Sequence, residues 1–149
     1  MEVIKDGVKE ILPEAYSASN GMYEYGGTAF HVLRDGHIIF TNNDDTVKTL
    51  DPDTSEVRDL TSNPVLRYSD FSPNGSNSWV LAVQEDRTED APANIAHHIA
   101  AIHDETGEVK RVVSGADFYY TPVFSPDGRK LAWLEWVGDS SISTFSRGL

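Results

Sequence analysis

Two stretches of the chain repeat one pattern: Phe71-Ser72-Pro73-Asn74-Gly75 running into Trp79-Val80-Leu81-Ala82, and Phe124-Ser125-Pro126-Asp127-Gly128 running into Leu131-Ala132-Trp133-Leu134. Each reads as a strand end, a tight turn and the start of an apolar strand. Pro73 and Pro126 preset φ, Asn74 and Asp127 can bond their own backbone, and Gly75 and Gly128 can take positive φ. Gly36 plays the same part in Arg34-Asp35-Gly36. The expectation is that Gly75 and Gly128 both sit where positive φ or a crowded backbone excludes a side chain. A second pair of stretches, Leu50-Asp51-Pro52-Asp53-Thr54-Ser55-Glu56-Val57-Arg58 and Ile102-His103-Asp104-Glu105-Thr106-Gly107-Glu108-Val109-Lys110, aligns without a gap at a spacing of 52 residues, against 53 between Phe71 and Phe124. Two parts of the unit recur at nearly one period, so the whole unit recurs. Hairpins repeated every few tens of residues mark stacked or radial repeats, and a β-propeller is the leading reading.

Turn signals then divide the chain. Residues 1–27 read as a weak strand plus a linker entering the propeller, with Pro13-Glu14-Ala15 as the one helix-start signal. Residues 28–66 hold four short runs rich in Val, Ile, Phe and Thr, one blade. Residues 67–115 form a second blade with a polar insert at 85–94, residues 116–136 a half blade, and the Ser- and Gly-rich residues 137–149 a loose tail. The fold class expected is all-β, an incomplete β-propeller of about two and a half four-stranded blades, whereas a closed ring takes roughly four to eight. A half blade would leave Val123, Leu131, Trp133 and Trp136 facing water or a partner, so self-association through open propeller edges, or a completing protein chain, is expected.

Composition narrows the partners. Twelve Lys and Arg against 24 Asp and Glu give a formal net charge of −12, which argues against nucleic acid and anionic membranes, since phosphates are held chiefly by clustered Lys and Arg. The absence of cysteine removes disulfides and thiolate metal sites and fits a cytoplasmic location. Met1 to Leu12 alternates charged and apolar residues, so neither a signal peptide nor a membrane span is expected there.

In chain order, Glu24-Tyr25-Gly26-Gly27, Ala29-Phe30, Arg67-Tyr68-Ser69-Asp70, Gln84-Glu85-Asp86-Arg87, Ser114-Gly115-Ala116-Asp117-Phe118-Tyr119 and the Phe124–Gly128 turn with Leu131-Ala132-Trp133 resemble the propeller of the prolyl oligopeptidase family of serine peptidases, in its acylaminoacyl-peptidase and dipeptidyl-aminopeptidase-like branch. The resemblance covers about residues 11–136. It implies a propeller that caps an α/β-hydrolase domain and filters substrates reaching a Ser-Asp-His triad, in a parent enzyme that hydrolyses short or N-terminally modified peptides. The chain has no Gly-x-Ser-x-Gly nucleophile elbow; Gly138-Asp139-Ser140-Ser141-Ile142 lacks the second glycine. No catalytic residue, no cofactor and no intrinsic hydrolase activity is therefore expected. The alternative is a stand-alone propeller-type protein-interaction module.

Glu24 and Asp86 are the substrate-binding candidates: a carboxylate facing a propeller channel could hold a substrate's amino terminus, and either could equally pair with Arg34, Arg67 or Arg87. His97, His98 and His103 share one segment, but alternation turns His98 away from the other two, and no third ligand completes a zinc site. Asp44, Asp45, Asp51 and Asp53 lack the spacing of a calcium loop and read as turn caps. No metal site is expected.

Overall fold

The computed structural model describes residues 7–138 and the backbone of Ser143–Gly148. Among the described residues, eleven strands form three antiparallel sheets. The first blade is β1 (Phe30–Val32), β2 (Ile38–Thr41), β3 (Val47–Leu50) and β4 (Val57–Asp59); the second is β5 (Leu66–Pro73), β6 (Trp79–Asp86), β7 (Ala96–His103) and β8 (Val109–Val113). The third has β9 (Phe118–Phe124), β10 (Lys130–Trp136) and β11 (Ser143–Gly148). This all-β meander of sheets is an incomplete propeller. A 3-10 turn (Met22–Glu24) is the one helical element among the described residues, and no helix is long and apolar enough to cross a membrane.

The turns work by the chemistry their residues supply. Asp51 Oδ1 accepts the N–H groups of Asp53 and Thr54 at 2.8 and 3.3 Å, while one repeat later His103 Nδ1 takes those of Glu105 and Thr106, both at 3.4 Å. Thr54 and Thr106 then cap Glu56 and Glu108 alike, each at 3.3 Å. Asp44 accepts from Thr46, and Asp127 from Arg129 and the Ser125 hydroxyl. Gly36 has φ +91°.

The paired repeat glycines part company. Gly128 has φ +70°, and a Cβ there would press on the Asn74 side chain, whose Nδ2 donates to the Gly128 carbonyl at 3.2 Å. Gly75 lies outside the left-handed region, and a Cβ there would meet only the Pro126 carbonyl, at 3.9 Å. The crowding expected at Gly75 is absent because the following turn leans on Asn74 instead.

Three expected boundaries shift. Glu85 and Asp86 belong to β6 and not to an insert, since Arg67, Glu85 and His97 lie opposite one another across β5, β6 and β7; these oppositely charged and hydrogen-bonding neighbours hold polar residues in the ladder. The loop is thus 87–95. The tail is not loose throughout: Ser143–Gly148 pairs with β10, which would otherwise present a row of free N–H and C=O groups; 139–142 and 149 lie outside the described residues. In the first segment 7–27 holds no named strand: it meets β2 and Asn42 through an Ala18–Asn42 bridge, the Ser19 N–H on Thr41 O, the Ser17 N–H on Asn42 Oδ1 and the Tyr16 ring on Phe40, without a continuous ladder. Pro13-Glu14-Ala15 forms a turn closed by the Tyr16 N–H. Residues 1–6 lie outside the described residues.

The second blade is buried on both faces, which explains its unbroken apolar runs. Val80, Ala82, Ala100 and Ile102 pack toward Leu33, Ile39 and Val47 of the first blade. Leu81, Val83, Ile99 and Ala101 pack toward Tyr119, Leu131 and Trp133 of the third. Leu131 and Trp133, expected to face outward, are 2% and 7% exposed, since the second blade covers them; Val123 is 48% exposed.

Candidate functional site

The same alternation separates the two adjacent carboxylates of β6. Glu85 follows Leu81 and Val83 onto the face toward the third blade, while Asp86 follows Val80 and Ala82 onto the other. There Asp86 accepts Arg111 at 2.5 Å and Thr88 at 2.6 Å. Burial works to raise its pKa, but these bonds and the Arg111 charge bring it below the usual carboxylate range.

Glu85 is the centre of the other face. Its side chain is 3% exposed. Oε1 takes Arg67 at 3.2 Å; Oε2 takes the Tyr23 N–H at 3.0 Å and meets His97 Nε2 at 3.3 Å. Burial opposes its ionisation, yet the His97 and Tyr23 bonds and the Arg67 charge hold its pKa below the ordinary value. His97 Nδ1 lies 2.7 Å from the Asp117 carbonyl, so the ring bridges the second and third blades.

Tyr23 and Glu24 close over this centre in an unusual conformation: both have positive φ, +52° and +62°, a strain that non-glycine residues keep only when several contacts enforce it. The Tyr23 hydroxyl donates to Tyr119 O at 2.7 Å and accepts the Tyr119 N–H at 3.1 Å. Its ring stacks on Tyr120 and packs on His97 and Phe118, with centroids at 5.2, 4.6 and 5.7 Å. Burial pushes the Tyr23 pKa far up. Glu24 remains open, its side chain 71% exposed, with Arg87 at 2.9 Å and Arg67 at 3.5 Å on Oε1.

Together these residues line an open cleft of about 690 Å³. One wall is Tyr23, Glu24 and Glu85, another His97, His98 and Phe118, and the loop residues Pro92–Ile95 form a third. Among the described residues Glu24, Glu85 and Asp117 line it beside apolar and aromatic side chains, and Arg67 and Arg87 pair with Glu24 and Glu85 from outside the lining. A cation carrying an apolar body fits that chemistry.

Of the two sequence candidates, then, Glu24 reaches the cleft and Asp86 does not. Arg67 and Arg87 pair with Glu24; Arg34 instead reaches the Gly75 carbonyl at 3.5 Å. Sequence reasoning places Glu85 in a polar insert and weighs His97 only as a zinc ligand, so it misses their meeting in the cleft. Their signal was parity: on β6 and β7 both fall on the odd-numbered face that carries Leu81, Val83, Ile99 and Ala101. The remaining histidines serve locally, His103 as a turn cap and His37 beside Asp35 at 3.0 Å. Among the described residues no metal-ligand cluster forms. A serine–histidine contact does occur, Ser114 Oγ to His98 Nδ1 at 2.9 Å, but His98 Nε2 is buried without a partner and no carboxylate orients the ring. Burial and the Arg111 charge lower the His98 pKa. Among the described residues the contact lacks the carboxylate that orients the base of a nucleophilic triad.

No protein-family model and no curated protein matches the chain. Among solved structures it superposes on a puromycin-hydrolysing peptidase of Mycobacterium tuberculosis with a TM-score of 0.82 at 24% identity, over 98% of this chain and 26% of that one. A puromycin hydrolase gives 0.80 at 24%, over 95% and 25%. An oligogalacturonate lyase in complex with manganese gives 0.63 at 11%, over 80% and 39%. The chain spans about a quarter of the length of the two peptidase structures. Blades of one build thus serve a peptidase and a lyase, and fold alone does not assign an activity. What the likeness establishes is the architecture: this chain has the fold of the propeller part of the puromycin-hydrolysing peptidases.

Proposed function

We propose that the chain is a non-catalytic propeller portion of a prolyl-oligopeptidase-like serine peptidase, and that its cleft admits the amino-terminal end of short peptides. One observation carries the reading. Residues from motifs scattered along the sequence, Glu24, Glu85, Asp117 and Phe118, line one cleft, and Arg67 and Arg87 pair with its carboxylates. Of the two substrate classes the resemblance implies, the anionic lining favours peptides with a free ammonium over N-acylated ones, because a buried-side carboxylate gains from a charge-assisted hydrogen bond. The test is binding of L-phenylalaninamide and its N-acetyl derivative, followed by NMR. The free amine should bind at least about ten-fold more tightly, the factor a charged hydrogen bond supplies. Equal affinities would overturn the reading. No serine, Ser114 included, should take a fluorophosphonate label, and stoichiometric labelling would overturn the non-catalytic assignment.

A second reading, self-association through sheet edges and faces, is supported by Phe30 and Val32 of β1, each 55% exposed, and by Val123. Light scattering over a concentration series tests it; a monomer at every concentration rules it out.

A further inference from the structure

We propose that Arg87 is a resident counter-ion that determines which cations enter the cleft, and that a ligand ammonium taking Glu24 from it releases the loop 87–95. The proposal rests on the reading of the cleft as an amine site. Its basis is the unequal commitment of the two guanidinium groups at Glu24. Arg67 is held by Asp45 at 2.9 Å, the Gly21 carbonyl at 3.1 Å and Glu85 at 3.2 Å, so losing its 3.5 Å contact with Glu24 leaves it satisfied. Arg87 is placed differently. Its Nε and one terminal nitrogen grip Asp90, three residues on in the same loop, at 2.9 and 2.6 Å; the other terminal nitrogen reaches Glu24 at 2.9 Å and lies 3.8 Å from Glu85.

The Arg87 N–H anchors the start of the loop on the Val65 carbonyl at 2.8 Å, and Thr88 bonds Asp86 there. Beyond that stem the Asn94 N–H bonds the Ala91 carbonyl within the loop. Among the described residues, the side-chain link from this loop to the Tyr23–Glu24 segment is Arg87 to Glu24. The loop supplies Pro92–Ile95 as a wall of the cleft. Glu24 is open to water, so the pair is weak enough to exchange for a ligand. A ligand with no cation cannot compete with Arg87, and the resident guanidinium thereby selects for ammonium groups.

Hydrogen exchange on the whole chain, with and without saturating L-phenylalaninamide, tests this. Exchange across 88–95 should speed up in the presence of the amine. In Arg87→Gln the loop should exchange quickly from the start and respond no further, while the amine binds about five-fold more tightly, the worth of an exposed ion pair. Arg87→Lys should restore part of the wild-type behaviour, which separates pairing from misfolding. If the amine binds through Glu24, shown by loss of binding in Glu24→Gln, but leaves loop exchange unchanged, the gate is wrong and the cleft reading stands. If the amine does not bind, or binds equally in Glu24→Gln, both fail.

Discussion

The two blade junctions of this molecule are built from the same repeat yet use its equivalent turns differently. Between the first and second blades, besides Thr41 on the Tyr68 carbonyl at 2.6 Å and Arg67 on Asp45 at 2.9 Å, the turns themselves are joined: Arg58 donates to the Asp104 and Glu105 carbonyls at 2.8 and 2.7 Å, and Gly107, at φ +73°, lies so close to the Leu60 carbonyl that a Cβ would collide with it. Between the second and third, Lys110 stands at the position of Arg58 but lies over the Trp79 ring, 4.6 Å from its centroid, and beside Glu108 at 3.3 Å. There the seal comes from elsewhere: Asn74 on Gly128, His97 on Asp117, and Tyr23 threaded between Glu85 and Tyr119. A repeat copies positions, while the partners within reach decide what each position does. A planar fork suits two carbonyls, and a point charge suits a ring face. The candidate site belongs to the junction whose seal is borrowed from outside the repeat.

The largest effect expected is at that second junction. Glu85→Ala leaves Arg67, His97 and the Tyr23 N–H facing an emptied site and should cost about 3–5 kcal/mol in denaturant melts; a loss below about 1 kcal/mol would mean the borrowed seal is incidental. Since Glu85 has a depressed pKa in the fold, its contribution is present above the ordinary carboxylate value of about 4.3 and is lost as pH falls through the folded value. Glu85→Gln should therefore flatten the acid limb of a stability profile taken from pH 7 downward. At the first junction Gly107→Ala meets both strain and the Leu60 carbonyl and should cost roughly 2–3 kcal/mol. Gly128→Ala should cost about 1–2 kcal/mol and Gly75→Ala no more than about 0.5, although the two share a place in the repeat; equal losses would erase the distinction between their turns. Smallest is the cation pair: Arg58→Ala should lower stability by about 0.5–1 kcal/mol, as an exposed residue would, and Lys110→Ala by less.

The all-β fold and its hairpin turns are legible in the sequence because turn chemistry is a local signal, whereas the burial of the second blade on both faces depends on neighbours that no local pattern names. Leu131 and Trp133 were misjudged, since the half blade was imagined standing alone and the second blade covers it. The site was half legible. Glu24 was singled out, but Glu85 was taken for part of a polar insert, because a carboxylate in a run such as Glu85-Asp86-Arg87 reads as solvent-facing until its partners are known. Those partners, Arg67, His97 and the Tyr23 N–H, come from three other segments, and no local pattern announces them. Asp86 was paired with Glu24 on composition; one step along a strand turns it to the opposite face.

The hooking of Tyr23 onto its neighbours also sets an order of events in folding. Its N–H reaches a carboxylate 62 residues away and its hydroxyl a backbone group 96 residues away, so the contacts carry a large loop-closure cost and form late. The hairpin of β6 and β7 and the docking of β9 must precede them. Until then Tyr23 and Glu24 have only the local bonds of their 3-10 turn to hold their left-handed backbone, and an amine finds no cleft. Any ligand of this cleft binds only the finished fold, and by mass action it raises the midpoint of unfolding with its own concentration.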